Sequence, residues 1–240
     1  MKKIFLSTAL LSSLLLSNEI TNKTFEELAT FKQNSIKVDE FEVLDTLYVV
    51  KGSKKTKRGE KVVSVCVSKD FKYTFFGKTI DNTTGEKVYI KKSPLPYKSD
   101  ANFTYGTGKE EYFIFTDPQC PYCKKFEQQL EKLNIKDKVK IYYFLYPLPF
   151  HKEAVPMSRY ILSQKDNTTK LKAVHKIFVE SSTIYKKQNY TKDEIKHLDK
   201  KIALMKNITK DLGVSGTPTI LKSDGTRINA IKFFKEYDGK

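Results

Sequence analysis

The sequence predicts a protein of mixed α+β and α/β class, built from two parts, and three observations lead to that prediction. Short runs rich in β-branched and apolar residues, separated by turn signals, fill residues 22–92. A stretch with several prolines and glycines follows at residues 93–109. From residue 110 onward, strand and helix patterns alternate, which is typical of parallel strands joined by a crossover helix.

The first 18 residues have the pattern of a secretory signal peptide. Lys2 and Lys3 precede an uncharged, mostly apolar run over residues 4–16, and polar residues follow. The run is shorter than the roughly 20 residues that a membrane-spanning helix needs. This pattern predicts export and a periplasmic location, with an uncleaved membrane anchor as the alternative.

The charge of the chain does not indicate a nucleic-acid partner. The formal net charge is +16, with lysines spread along the whole length and densest at residues 51–61. No motif that combines aromatic and basic residues accompanies them. The sequence therefore predicts a solvated basic surface.

The predicted elements give each part its own architecture. A helix over 24–32 and strands over 41–50, 62–68, 72–80 and 87–90 predict a small, mostly antiparallel sheet with one helix. A buried strand at 111–116, a helix at 120–134 and a strand at 139–146 then predict a βαβ unit. A mainly helical block at 152–212, strands at 219–222 and 227–231, and a helix at 232–237 complete the chain.

The cysteines indicate redox chemistry. The chain has three, Cys66, Cys120 and Cys123, which are too few for a disulfide-stapled scaffold. Cys120-Pro121-Tyr122-Cys123 lies where the predicted strand ends and the helix begins. Unpaired N–H groups and the helix dipole favour a thiolate at that place. The spacing allows Cys123, one turn further on, to form a disulfide with Cys120.

Two other roles for the CxxC are less favoured. A structural zinc site needs four ligands, and the sequence has no second ligand pair of suitable spacing. A purely structural disulfide across so short a loop would constrain almost nothing. We therefore expect a redox pair and no metal.

A second motif, at residues 214–219, completes a resemblance. Together, FTDPQCPYC and LGVSGTPTIL resemble the thioredoxin-fold disulfide isomerases of the DsbC and DsbG type over most of residues 110–225. The segment KDFKYTFFGKTID resembles part of that family's dimerisation domain. The resemblance implies a thioredoxin-like catalytic domain at 110–240 with a helical insertion at about 152–212. A linker at 93–109 and a cystatin-like dimerisation domain at 22–92 would precede it.

The resemblance also implies roles for individual residues. Cys120 would be the nucleophile and Cys123 the resolving thiol. Pro218 would be a cis-proline facing the pair, and Thr217 would contact the backbone of the substrate. Pro121 and Tyr122 are further candidate substrate-binding residues. The expected partners are unfolded or misoxidised proteins, a membrane thiol reductase of the DsbD type and a second copy of the chain, and no cofactor is expected.

Three functions are compatible with the sequence. The first is a disulfide isomerase or reductase, and the second is a DsbA-like oxidase. DsbA has His where this chain has Tyr122, so we expect a less oxidising pair, and Thr217 resembles the isomerase branch. The third is a dimeric chaperone or binding module whose CxxC is secondary.

Two further residues have no settled role, and one segment leaves the shape of the dimer open. Cys66 is expected to be a lone buried thiol, with a dimer contact as the alternative. His151 follows the C-terminal end of a predicted strand, where loops line active sites, and is a candidate substrate contact. The prolines and glycines of 93–109 interrupt the long linker helix of the family.

Overall fold

The computed structural model describes residues 20–57, 59–83, 85 and 87–238. Contacts within the chain divide it after Ile90 into two compact units. The predicted signal peptide at 1–18 lies outside the described residues. Within the described ranges, no helix is both long and apolar enough to cross a bilayer.

The first unit is a four-stranded antiparallel sheet with two short helices. Its elements are α1 (Asn22–Glu26), α2 (Ala29–Gln33), β1 (Lys37–Val43), β2 (Leu47–Thr56), β3 (Gly59–Ser68) and β4 (Thr74–Phe76). The strands follow each other in sheet order β1-β2-β3-β4. The core holds Phe25 and Phe31 from the helices and alternate residues of the strands, such as Val65 and Val67. The predicted small antiparallel sheet is therefore confirmed.

Several element boundaries in this unit differ from the prediction. The predicted strand 41–50 is interrupted by a turn, closed by the Leu44 N–H donating to the Leu47 carbonyl at 2.9 Å. The predicted helix 24–32 is broken at Leu28, which has an extended backbone. In place of a strand at 87–90 there is one isolated bridge, from Ile80 to Lys87. These runs of β-branched and apolar residues carry little information about where a turn interrupts them.

The second unit is a five-stranded mixed sheet with helices. After a 3₁₀ turn at Leu95–Asp100, its elements are β5 (Phe103–Tyr105), β6 (Glu110–Thr116), α3 (Pro121–Leu133), β7 (Val139–Leu145), α4 (Ala154–Leu162), α5 (Asn167–Val174), α6 (Lys192–Asp211), β8 (Thr219–Lys222), β9 (Arg227–Ile228) and α7 (Ala230–Lys235). The sheet order is β5-β7-β6-β8-β9, and β6 and β7 are parallel. The predicted β-α-β, helical block and β-β-α order is confirmed.

Strand β6 is buried on both faces at the centre of this sheet. Tyr112 and Ile114 face the core that contains Phe126 of α3 and Phe233 of α7. Phe113 and Phe115 face a second core, formed with residues of α6. Each fully buried side chain of this size stabilises the fold by about 1.5–3 kcal/mol. The end of β6, from which the CxxC follows, is thus firmly positioned.

The prediction of a linker at residues 93–109 is corrected by the structure. Strand β5 lies within that range and pairs antiparallel with β7, with Phe103 opposite Tyr143. The backbone at Gly106, with φ of +76°, and at Gly108 approaches residues 136–139 so closely that a Cβ would clash with their main chain. The glycines therefore reflect tight packing within the second unit rather than a flexible connection.

Candidate active site

The redox pair lies at the first turn of α3. Cys120 is the N-cap residue, with φ of −67° and ψ of 124°, and Pro121 occupies the first helical position. The Cys120 N–H donates to the Asp117 carbonyl at 3.0 Å, which closes the turn between β6 and α3. Both thiols are buried and free, whereas Tyr122 between them is 69% exposed. Proline suits this position because the N–H that it lacks would have no partner in the first turn.

The environment separates the acidities of the two thiols. A hydrogen bond from the Cys123 side chain, helped by the backbone N–H groups of Cys123 and Tyr122, lowers the pKa of Cys120 to about 5. Burial, together with the thiolate beside it, raises the pKa of Cys123 above its usual range. Since the thiolate is the nucleophilic form, Cys120 can attack a disulfide at neutral pH.

The second sequence motif meets the first in space. The Cys120 sulfur lies 3.5 Å from the carbonyl oxygen of Thr217, and the Thr217–Pro218 peptide bond is cis. The Thr217 hydroxyl is buried, and the Thr217 side chain contributes to lowering the pKa of Cys120. Thr217 and Pro218 are themselves partly exposed. The structure thus brings together residues that are far apart in the sequence, as the resemblance implied.

A buried carboxylate connects the pair to the loop after β7. Asp117 is fully buried, and one of its oxygens, Oδ2, contacts the Leu148 N–H at 2.6 Å and the His151 Nδ1 at 2.9 Å. The other oxygen, Oδ1, accepts the Gln119 N–H at 2.7 Å. The Asp117 N–H lies 3.5 Å from the Cys123 sulfur. His151, a candidate substrate contact, therefore reaches the pair through Asp117.

Comparison with known proteins agrees with this geometry. A model of the family described as "Thioredoxin-like domain" matches residues 97–233, more than half of the chain. The chain belongs to the thioredoxin-like domain family. The matched range begins before residue 103, so it includes β5, in agreement with the corrected boundary. We refer below to residues 91–240 as the thioredoxin-like unit.

Individual relatives are similar over limited parts of their length. A Bordetella avium protein named "Probable thiol:disulfide interchange protein DsbC" is 34% identical over 89 residues. That match covers 33% of this chain and 31% of the relative, so the chain spans about a third of the length of the curated relative it matches.

Three solved structures share lower sequence identity with the chain. Proteus mirabilis ScsC in a transitional conformation is 22% identical, with a TM-score of 0.43 over 59% of this chain and 73% of that one. A disulfide interchange protein from Neisseria gonorrhoeae is 20% identical, with a TM-score of 0.44 over 59% of this chain and 98% of that one. The thiol-disulfide exchange protein α-DsbA2 from Wolbachia pipientis is 17% identical, with a TM-score of 0.46 over 60% of this chain and 92% of that one.

Sequence reasoning missed Glu127 in the thioredoxin-like unit. This residue of α3 is only 8% exposed, and it accepts a hydrogen bond from the Tyr143 hydroxyl at 3.2 Å. Its other oxygen, Oε1, has no partner among the described residues, and burial raises the pKa of the carboxyl to about 8. Glu127 lies four residues after Cys123 and three before Leu130, so it is on the apolar stripe of the helix. That spacing was the signal that could have identified it.

Cys66 lies in the other unit and is buried on β3 opposite Val49 of β2. Its neighbours Val65 and Val67 face the core of that unit, whereas Cys66 does not belong to that core cluster. This agrees with the expectation of a lone buried thiol.

The lowered pKa of Cys120 should be visible in its alkylation by iodoacetamide. Only the thiolate reacts, so the rate at the Cys120 peptide, followed by mass spectrometry, should fall below a midpoint near pH 5. In a Cys123→Ala variant the midpoint should rise toward the ~8.5 of a free cysteine, because the main stabilising hydrogen bond is lost. A wild-type midpoint near 8.5 would contradict this account of the site.

Glu127 should make the stability of the protein decrease with pH. Its pKa of about 8 in the folded state exceeds the ordinary value of 4.5, so the folded protein binds the proton more tightly. This contribution is fully present below pH 4.5 and is lost as the pH rises through about 8. The free energy of unfolding should fall by up to about 1.4 kcal/mol per pH unit in that window.

Denaturant titrations at pH 5, 7 and 9 test this expectation. A Glu127→Gln variant keeps an acceptor for Tyr143 but cannot ionise, so its stability should depend less on pH than that of the wild type. Glu110→Gln is the matched control, because Glu110 is exposed at the start of β6 in the same unit. Equal pH dependence in the wild type and Glu127→Gln would contradict the expectation.

Proposed function

We propose that the protein is a thiol–disulfide oxidoreductase that acts on proteins, most simply as a disulfide isomerase and reductase. One observation carries the proposal. Cys120 sits at the N-terminus of α3, its pKa is lowered to about 5, and its sulfur lies against the carbonyl of Thr217. Membership of the thioredoxin-like family and the similarity to the Bordetella avium protein support it.

The chemistry divides between the two sulfurs. The Cys120 thiolate attacks one sulfur of a substrate disulfide, and the other substrate sulfur leaves as a thiolate. In isomerisation, another substrate thiolate attacks the mixed disulfide and regenerates Cys120, with no net transfer of electrons. In reduction, Cys123 loses its proton and attacks the Cys120 sulfur, which releases the reduced substrate and leaves a Cys120–Cys123 disulfide. Two electrons have then passed to the substrate.

The acidity of Cys120 favours a moderately oxidising pair. The Cys123 side chain and the backbone N–H groups beside Cys120 lower its pKa, which favours the reduced form of the pair. We expect a pair that is less oxidising than DsbA, with a reduction potential below about −120 mV. Tyr122 lies where DsbA has a histidine, so it adds no positive charge beside the thiolate. A DsbA-like oxidase remains the alternative, and a potential near −120 mV would favour it.

The remaining elements of the proposal concern location and partners. We propose that residues 1–18 direct export to the periplasm, where the substrates are unfolded or misoxidised proteins. Isomerisation needs Cys120 in the reduced state, so a membrane thiol reductase of the DsbD type would supply electrons to the pair. Four residues next to Cys120 in the sequence or near its sulfur would contact the substrate: Pro121, Tyr122, Thr217 and Pro218.

Refolding of a scrambled multi-disulfide protein tests the activity. The wild type should restore native disulfides, and Cys120→Ser should reduce the rate to that of the uncatalysed reaction because no attacking thiolate remains. Cys123→Ser should instead accumulate mixed disulfides with the substrate, visible on non-reducing gels. Cys66→Ala is the matched control, since that thiol lies in the other unit, and it should retain activity.

Retention of refolding activity by Cys120→Ser would contradict the proposed chemistry and favour the chaperone alternative. Formation of disulfides in a fully reduced substrate, without correction of scrambled ones, would favour the oxidase. The reduction potential measured on the same preparation distinguishes these two outcomes further.

We also propose that the first unit joins two copies of the chain. Strand β4 lies at one edge of the sheet, and Tyr73, Phe75, Phe76 and Ile80, on or near it, are exposed. A groove of about 700 Å³ lies beside it, lined by Leu47 and residues of 74–82. Exposed apolar patches beside an open strand edge are typical of protein interfaces. The resemblance of residues 69–81 to a dimerisation domain supports a second copy as the occupant.

Sedimentation at micromolar concentration tests this proposal. The wild type should be a dimer, and Phe75→Glu should weaken the dimer by at least about a hundredfold, because a two-fold interface buries each substitution twice. Phe75 is 50% exposed. Val43→Glu is the matched control, since Val43 is 57% exposed on β1 at the opposite edge of the sheet. A monomeric wild type, or a Phe75→Glu variant that stays dimeric, would contradict it.

A further inference from the structure

Exposed aromatic side chains are rare in the thioredoxin-like unit, and both strongly exposed ones are connected to the redox pair. Among its described residues, the exposed large apolar side chains are Leu95, Tyr122, Phe150, Leu204 and Ile231. Only Tyr122 and Phe150 are aromatic, at 69% and 68% exposed. Tyr122 belongs to the CxxC itself, so the position of Phe150 needs a physical explanation.

Phe150 belongs to a loop that is hydrogen-bonded to the turn before Cys120. Four bonds join residues 146–153 to residues 116–119. They are Tyr146 N–H to the Thr116 carbonyl (2.7 Å), Leu148 N–H to Asp117 Oδ2 (2.6 Å), His151 Nδ1 to Asp117 Oδ2 (2.9 Å) and Glu153 N–H to Gln119 Oε1 (2.7 Å). Phe150 lies between two of these anchors, so its backbone is held although its side chain is exposed.

His151 also supports the Phe150 ring directly. The two rings meet edge to face, with centroids 4.5 Å apart and an interplanar angle of 69°. His151 is in turn held by Asp117, whose backbone lies next to the Cys123 sulfur and accepts the Cys120 N–H. An exposed phenyl ring is thus fixed relative to the redox pair through two side chains.

A large apolar ring that is kept exposed and rigid is suited to binding. Little conformational entropy is lost when a partner covers it, and the area removed from water stabilises the complex. We propose that Phe150 is a specificity-determining residue that, with Tyr122, contacts apolar side chains flanking the reacting cysteine of the substrate. His151 is its positioning residue, acting through Asp117. The inference rests on the proposed function and deepens it, because it names unfolded polypeptide with apolar neighbours of cysteine as the preferred substrate.

Two peptide disulfides test the inference. Both are short peptides whose single cysteine is disulfide-bonded to glutathione, and they differ only in having leucines or serines on either side of that cysteine. The prereduced full-length protein reduces them to peptide thiol and glutathione, and its own pair becomes the Cys120–Cys123 disulfide. We expect the wild type to prefer the leucine peptide by about tenfold in kcat/KM, which corresponds to ~1.4 kcal/mol.

The preference for the leucine peptide should depend on Phe150 and should arise mainly from a difference in KM. In Phe150→Ala the ratio between the two peptides should fall to about twofold or less, mainly through a higher KM for the leucine peptide. Leu95→Ala is the matched control and should keep the wild-type ratio. Leu95 is 45% exposed. It lies near Ser93, which bonds to Ser223 just beyond the far end of β8. At about 3.3 Å per residue, that end of the strand is ~13 Å from Pro218.

Variants of His151 separate positioning from folding. His151→Asn retains a side-chain N–H donor for Asp117 and should keep most of the preference, whereas His151→Leu should lose it as Phe150→Ala does. The alkylation midpoint of Cys120 should stay near that of the wild type in both, because His151 does not contact its sulfur. A loss of structure alone would lower activity toward both peptides equally, without changing their ratio.

The outcomes distinguish this inference from the proposed function. If the wild type exchanges with neither peptide, the proposed function is wrong and the inference fails with it. If the wild type reacts with both peptides at equal kcat/KM, or if Phe150→Ala keeps the wild-type preference, the inference alone is overturned. An unchanged preference in His151→Leu would overturn the positioning role of His151.

Discussion

The buried carboxylate of Asp117 is the interaction on which the site depends. Its two oxygens accept hydrogen bonds from the chain before and after the redox pair, and its own backbone contacts both cysteines. A buried carboxyl group that lost these hydrogen bonds would destabilise the fold. The turn after β6, the first turn of α3 and the loop after β7 are therefore held together, and Cys120 lies where the Cys123 thiol and the backbone N–H groups of the first helical turn lower its pKa.

The parts of the site that the sequence predicted are those with a local signature. The CxxC could be placed at a helix N-terminus because β6 is a continuous apolar run and Pro121 suits the first helical turn. The motif around Thr217 and Pro218 could be connected to it only through the family resemblance. No local pattern indicates that a carbonyl far downstream in the chain will lie 3.5 Å from a particular sulfur.

The incorrect sequence predictions have a common physical origin. At these positions, tertiary packing determined the structure, and the local sequence pattern indicated something else. The prolines and glycines at residues 93–109 are typical of a linker, yet Gly106 and Gly108 are required by the close approach of residues 136–139. Strand β5 is only three residues long, too short to show an alternating pattern. Glu127 is a charged residue, a type that is usually exposed, but its spacing from Cys123 and Leu130 places it on the buried stripe of α3, where it contacts Tyr143 of β7.

The arrangement of strands around β6 has a consequence for the chain as it is being made. Strand β6 pairs on one edge with β7, which follows it closely in the sequence. Its other edge pairs with β8, which comes only after the whole helical block. Closing so long a loop is entropically unfavourable until β8 docks. While the chain is still incomplete and lacks β8, Thr217 is absent from the neighbourhood of the cysteines, so its carbonyl does not yet lie against the Cys120 sulfur. An enzyme that would repair disulfides in other proteins therefore passes through a stage in which its own thiols lack the strand that completes their site.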